Sequence, residues 1–106
     1  MEFRMDQRFD KGRLTVKPYG RLSAETVGHF EEELMRQLNS ADSLVIDLAE
    51  VDLVASAGLR SILLARKMLE GRGTVTIINV QKNVMEALKM TNLTELMTIR
   101  PKISES

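Results

Sequence analysis

The sequence predicts an α/β fold: a single domain with a mostly parallel central sheet, an antiparallel N-terminal strand, and about three main helices packed on it. Three observations carry this. The 106 residues suffice to close one hydrophobic core and not two. Strand-like and helix-like segments alternate along most of the chain, which implies parallel strands joined by right-handed crossovers. The run Leu44, Val45, Ile46 and Leu48 is nearly continuous in apolar character, as suits a strand covered on both faces. No internal repeat or linker divides residues 1–106.

Phe3, Met5, Gln7 and Phe9 alternate with charged residues and predict a half-buried first strand. Asp10-Lys11-Gly12 marks a turn, since Gly12 takes positive φ without a side-chain clash. Arg13 to Tyr19 predicts the second arm of a hairpin, with Pro18 placing it at an edge or bend because proline gives no ladder amide. Ser23 is the expected N-cap of an amphipathic helix over Ala24 to Asn39, on which Val27, Phe30, Leu34 and Leu38 share a face. Glu31, Glu32 and Glu33 are expected on its solvated side. The central strand then leads through Val51–Val54 into a helix opening at Ser56, whose Leu59, Ile62, Leu63 and Leu69 are expected to face the core. Gly71-Arg72-Gly73 stops that helix, and Thr74 to Val80 is a β-branched strand. Asn83 and Glu86 carry the reciprocal capping pattern of a third helix with Val84, Leu88 and Met90, ended by Asn92 in the left-handed region. Leu96 to Arg100 is the expected last strand. Residues 1–6 and 101–106 are expected to fray.

Composition narrows the function. Fifteen basic and fifteen acidic residues cancel, so the chain lacks the electrostatic footprint of a nucleic-acid or anionic-membrane binder. A protein partner or a small ligand is expected. With no cysteine, thiol catalysis and cysteine-ligated metals are excluded. No apolar stretch approaches the ~20 residues that span a bilayer, and Met1–Asp6 lacks a secretion-signal pattern, so a cytoplasmic location is expected.

Catalysis finds little support. His29 is the one histidine, lies mid-helix, and is expected at the surface or at the core boundary. Gly71-Arg72-Gly73 follows a helix and precedes a strand, the reverse of the order that aims helix amides at phosphate. Asp47, Glu50 and Asp52 have no fourth oxygen donor at recognisable spacing.

Ser56 is the residue of interest. At a helix start its oxygen can accept a bond from an orphan amide, worth ~1 kcal/mol. Ala55, Ala57 and Gly58 around it are small and leave its hydroxyl open to another protein's active site. A phosphate there would sit at the positive end of a helix dipole, which tolerates it well. Arg60, Leu64 and Lys67 project together at helical spacing beside Ala57 and Ser61, so Leu64 either is an exposed apolar residue framed by bases or widens the core stripe; the spacing allows both.

Over nearly its full length the chain resembles STAS domains, in particular the stand-alone bacterial anti-sigma-factor antagonists. Gly20-Arg21-Leu22-Ser23-Ala24 is similar to the family's Gly-Glu-Leu-Asp loop, and Val45 to Val51 to its Val-Leu-Asp-Leu-Ser-Gly-Val strand. Met90-Thr91-Asn92-Leu93 is similar to its Thr-Gly-Leu segment. The most specific piece, Ala55-Ser56-Ala57-Gly58-Leu59, resembles Asp-Ser-Ser-Gly-Leu or Ser-Ser-Ala-Gly-Leu-Arg. The acidic residue often preceding the serine is Ala55 here, and the loop aspartate is Ser23.

The resemblance implies a non-enzymatic switch. Unphosphorylated, the protein would bind an anti-sigma factor that is itself a serine kinase; phosphorylation at Ser56 would end binding, and a phosphatase would restore it. Ser23, Ala55, Ala57, Gly58, Arg60, Ser61 and Leu64 would form the partner surface. ATP and magnesium would belong to the kinase, with no cofactor on this chain. The alternative that the resemblance carries is a STAS scaffold of a stress-signalling assembly, or a small subunit of a lipid-transport ATPase, without a phosphoswitch.

Overall fold

The computed structural model describes residues 3–103. Ten elements follow in order: β1 (Arg4–Asp10), β2 (Arg13–Leu22), α1 (Val27–Leu38), β3 (Ser43–Asp47), β4 (Val51–Val54), α2 (Ser56–Leu69), β5 (Thr74–Val80), α3 (Lys82–Met90), α4 (Leu93–Leu96) and β6 (Thr98–Pro101). The strands form a sheet in the order β1-β2-β3-β5-β6, with β4 added to β2 off this path. Among the described residues, only the β1–β2 pair is antiparallel. The predicted α/β architecture is therefore present, with a fourth, one-turn helix.

Register sorts side chains between two faces. Val16, Ile46, Ile77 and Ile99 lie in one row across four strands, with Leu14, Leu44 and Val75 in the next. These face the helices, where Phe30, Leu34, Leu38, Ile62 and Leu69 are fully buried in the same core. The opposite row, Arg8, Thr15, Val45, Thr76 and Thr98, spans five strands and is half-buried or exposed. β3 is thus covered on one face, not both. Its apolar run misleads because Val45 is a β-branched residue on a pleated surface, favoured there without deep burial.

Pro18 is not at an edge. β2 runs inside the sheet, pairing with β3 through Arg13–Val16 and with β4 from Gly20 onward, and Pro18 falls in the gap between these two pairings. Val51–Val54, expected as a connector, is a strand because its backbone bonds the distal end of β2. That long-range pairing has no local signal.

The helices start later or earlier than capping residues suggested. α1 begins at Val27, after a turn in which the Val27 amide donates to the Ser23 carbonyl at 2.8 Å; Ser23 is not its cap. α3 begins at Lys82, so Asn83 lies within its first turn and its side-chain amide donates to the Asp52 carbonyl at 2.6 Å. Met90 is 85% exposed instead of in the core. Asn92 takes φ 61° as expected and is followed directly by α4, which pushes the last strand from Leu96 to Thr98. At the ends, Arg4–Asp6 belong to β1 and Pro101 to β6, and the Lys102 amide bonds the Val80 carbonyl. The remaining terminal residues, 1–2 and 104–106, lie outside the described residues. Glu31, Glu32 and Glu33 are not uniformly solvated: Glu31 meets Ser61 of α2 and Glu33 accepts from Gln7 of β1 at 2.9 Å.

Candidate functional site

Ser56 stands where β2, β4 and α2 meet. The Ala55 amide donates to the Leu22 carbonyl at 2.8 Å, tying the end of β2 to the start of α2. Ala55 is extended, and its carbonyl accepts the first helical bond, from the Leu59 amide at 3.0 Å. Ala55 is therefore the N-cap, and its methyl group makes no cap hydrogen bond. Ser56 is the first helical residue and is exposed. The expected role of Ser56 as cap is corrected: its hydroxyl is one position too late for it. The first amides of α2 have no partner within the helix, so positive charge density gathers beside this hydroxyl.

Gly58 is buried, and its smallness serves packing rather than access to Ser56. A Cβ there would lie 2.8 Å from the Leu22 carbonyl oxygen and 3.1 Å from Val54 Cγ1. Gly58→Ala gains helix propensity but must push α2 off the two strands, and a net loss of about 1–3 kcal/mol is expected in thermal unfolding. A melting temperature equal to the parent's would show that this end of α2 is not held by that contact.

Along α2, Ser56, Arg60, Leu63 and Lys67 recur at i, i+4, i+7 and i+11 and form one exposed stripe. Leu64, 43% exposed, lies alongside. Leu63, expected in the core, is 38% exposed because it falls within about 20° of Ser56 on the helical wheel. Ser61, expected at the partner surface, is instead fully buried and donates to the Glu31 carboxylate of α1. It fastens one helix to the other. Ala57 and Ala55 are half-buried beside the stripe.

Ser23 comes to this region through Leu22, which contacts Gly58. Its hydroxyl donates to Glu25 Oε2 at 2.7 Å, and its amide to Thr26 Oγ1 at 3.0 Å. The Ser23 hydroxyl, followed by the backbone bond of Glu25 itself and the Arg21 charge, holds the Glu25 carboxyl below its ordinary pKa. Sequence reasoning missed Leu63 and the 43% exposed Leu53 of β4, which borders the same turn. A helical wheel centred on Ser56 would have found the first; the second needed β4.

The other candidates are not gathered here. The Asp47 carboxylate accepts from the Ala49 amide at 2.9 Å and Asn79 Nδ2 at 3.1 Å, so it closes a turn. Among the described residues no acidic or histidine cluster could hold a metal. His29 is exposed and stacks on Phe3 with ring centroids 6.4 Å apart. Among the described residues, no helix is long and apolar enough to cross a membrane.

A family model for the STAS domain matches residues 4–106. The chain belongs to the STAS domain family. Sequence comparison with curated proteins gives no significant match. Among solved STAS-like structures, an anti-sigma factor antagonist from Mycobacterium paratuberculosis aligns with TM-score 0.86 at 18% identity, covering 96% of this chain and 88% of that one. A Thermotoga maritima protein assigned as a candidate anti-sigma factor antagonist aligns with TM-score 0.84 at 20% identity, covering 93% and 87%. SpoIIAA of Bacillus in its phosphorylated form aligns with TM-score 0.71 at 13% identity, covering 92% and 90%. At these identities the likeness is one of fold.

Proposed function

We propose that this STAS domain is an anti-sigma-factor antagonist whose partner binding is switched at Ser56. The observation that carries this reading is the exposed Ser56 hydroxyl at the first position of α2, heading a stripe of Arg60, Leu63 and Lys67. The naming of the structural neighbours as anti-sigma factor antagonists supports the role, and SpoIIAA has been described in unphosphorylated and phosphorylated forms. In the unmodified state the partner, an anti-sigma factor with serine kinase activity, packs its surface on the stripe and over Ser56. Sequestering it frees a sigma factor for transcription.

The kinase supplies ATP and magnesium. Its reaction forms a bond from Ser56 Oγ to the γ-phosphorus of ATP, breaks the bond to the ADP oxygen, and releases the hydroxyl proton. The product adds ~1.5 to 2 negative charges. Within this chain the free amides of α2 accommodate that charge, so the fold is retained. In the complex, the same dianion is desolvated against a surface shaped for a neutral hydroxyl, and the partner dissociates. A phosphatase returns the hydroxyl. The exchange takes place in the cytoplasm, where ATP is available, and this chain performs no chemistry of its own.

The stripe has a separate test. Arg60→Glu reverses an exposed charge without removing core contacts, and partner binding is expected to weaken about tenfold or more with an unchanged melting temperature. Unchanged affinity, measured by calorimetric titration, would move the interface off this face.

A further inference from the structure

The β1 edge presents a second surface. Among the described residues β1 pairs with β2 alone, leaving one side of its backbone open. Lys11 and Gly12 both have positive φ, 49° and 83°, the type I′ geometry of a two-residue hairpin. Asp10 and Arg13 flank this turn and form its hydrogen-bonded pair. Because bonded and non-bonded pairs alternate, Arg8, Asp6 and Arg4 also bond β2, and the amides and carbonyls of Met5, Gln7 and Phe9 point outward. Edges are commonly blunted by shortness, proline, bulges or charged side chains, and of these β1 has only charges, two of each sign. The opposite edge, β6, has four residues and ends at Pro101. β1 has seven residues in unbroken register and no proline.

Its sequence, Arg-Met-Asp-Gln-Arg-Phe-Asp, is complementary to itself when read antiparallel. Centred on Gln7, a second copy sets Arg4 against Asp10, Met5 against Phe9, and Asp6 against Arg8. Each charged residue meets its opposite, at the non-bonded positions where side chains approach most closely. Sliding by two residues either way puts Arg8 against Arg8 or Asp6 against Asp6, so the pattern selects one register. Phe9, 43% exposed, gains an apolar neighbour in the other copy's Met5. We propose that β1 is a self-association edge through which two copies of this chain pair antiparallel about Gln7. The edge is formed by β1 alone, so Ser56 and the α2 stripe remain available to another protein.

The test is sedimentation of the full chain over a wide concentration range, with Asp6→Arg and Arg8→Asp run separately and as an equimolar mixture. The parent is expected to dimerise with rising concentration. Each variant sets like charges against each other twice per dimer, and its dissociation constant is expected to rise roughly tenfold or more. In the mixture the heterodimer has opposite charges at every position, and association is expected to recover. A parent that stays monomeric, or a dimer indifferent to both reversals, overturns the proposal. Asp6 also accepts from the Tyr19 hydroxyl at 2.7 Å, so its replacement perturbs the hairpin itself. Hydrogen exchange on the unaltered chain therefore gives an independent reading: the Met5, Gln7 and Phe9 amides are expected to slow as concentration rises, and exchange that ignores concentration contradicts the pairing.

Discussion

Ser56→Asp is expected to lose binding to the kinase partner by about 100-fold or more, while Ser56→Ala binds as the parent does or better. The asymmetry follows from the site. Ser56 is exposed and is not the cap of α2, so removing its hydroxyl takes no hydrogen bond from the helix terminus. Alanine also has the higher helix propensity, and Ser56→Ala is expected to melt at or slightly above the parent temperature. Aspartate places a charge beside the unpaired amides, which suits the free chain, yet the same charge is stranded when a partner closes over it. Titration of both variants against the partner, beside their melting curves, checks the two halves separately. If both variants captured one transporter or scaffold equally well, the domain would be an assembly subunit and Ser56 no switch.

Among glycine-to-alanine changes, Gly73→Ala is expected to be the most destabilising. A Cβ at Gly73 would lie 2.5 Å from the Asp42 carbonyl carbon and closer still to its oxygen. Both neighbours are backbone, at the point where β3 and β5 begin side by side, so no side-chain rotation relieves the overlap. The Asp42 and Ser43 amides in turn bond the Gly12 carbonyl, at 2.6 and 3.3 Å, so the displaced segment is also anchored to the β1–β2 turn. A loss of ~3 kcal/mol or more, corresponding to a fall of about 10–20 °C in melting temperature, is expected by calorimetry. Gly71→Ala is no substitute control, because φ there is 81° and carries its own strain.

Much of the fold was legible because its elements are local. Alternation in Phe3–Phe9, the 3.6-residue recurrence of Phe30, Leu34 and Leu38, and the turn at Gly12 each report a periodicity that the structure keeps. What escaped depended on contacts distant in sequence. β4 exists through its pairing with β2, and Pro18 is tolerated inside the sheet because β2 changes partners around it. Capping residues misplaced α1 and α3 because Ser23 and Asn83 spend their polar groups elsewhere, on Glu25 and on the Asp52 carbonyl. At the site, Ser56 and Arg60 are exposed as expected, the side of Leu64, open from sequence, is settled by its 43% exposure, and Ser61 and Gly58 are buried. Small residues beside a serine read alike whether they open it to a partner or let a helix approach a strand. Only the distance from Gly58 to Leu22 distinguishes the two.

A phosphate on Ser56 is expected to end partner binding while leaving the domain folded. The most direct test is titration of the chain carrying phosphoserine at position 56 against the anti-sigma kinase, beside the unmodified chain and with circular dichroism on both. A native spectrum is expected in each case, with firm binding by the unmodified chain and loss of binding by the phosphorylated one. Equal affinity of the two forms would contradict it.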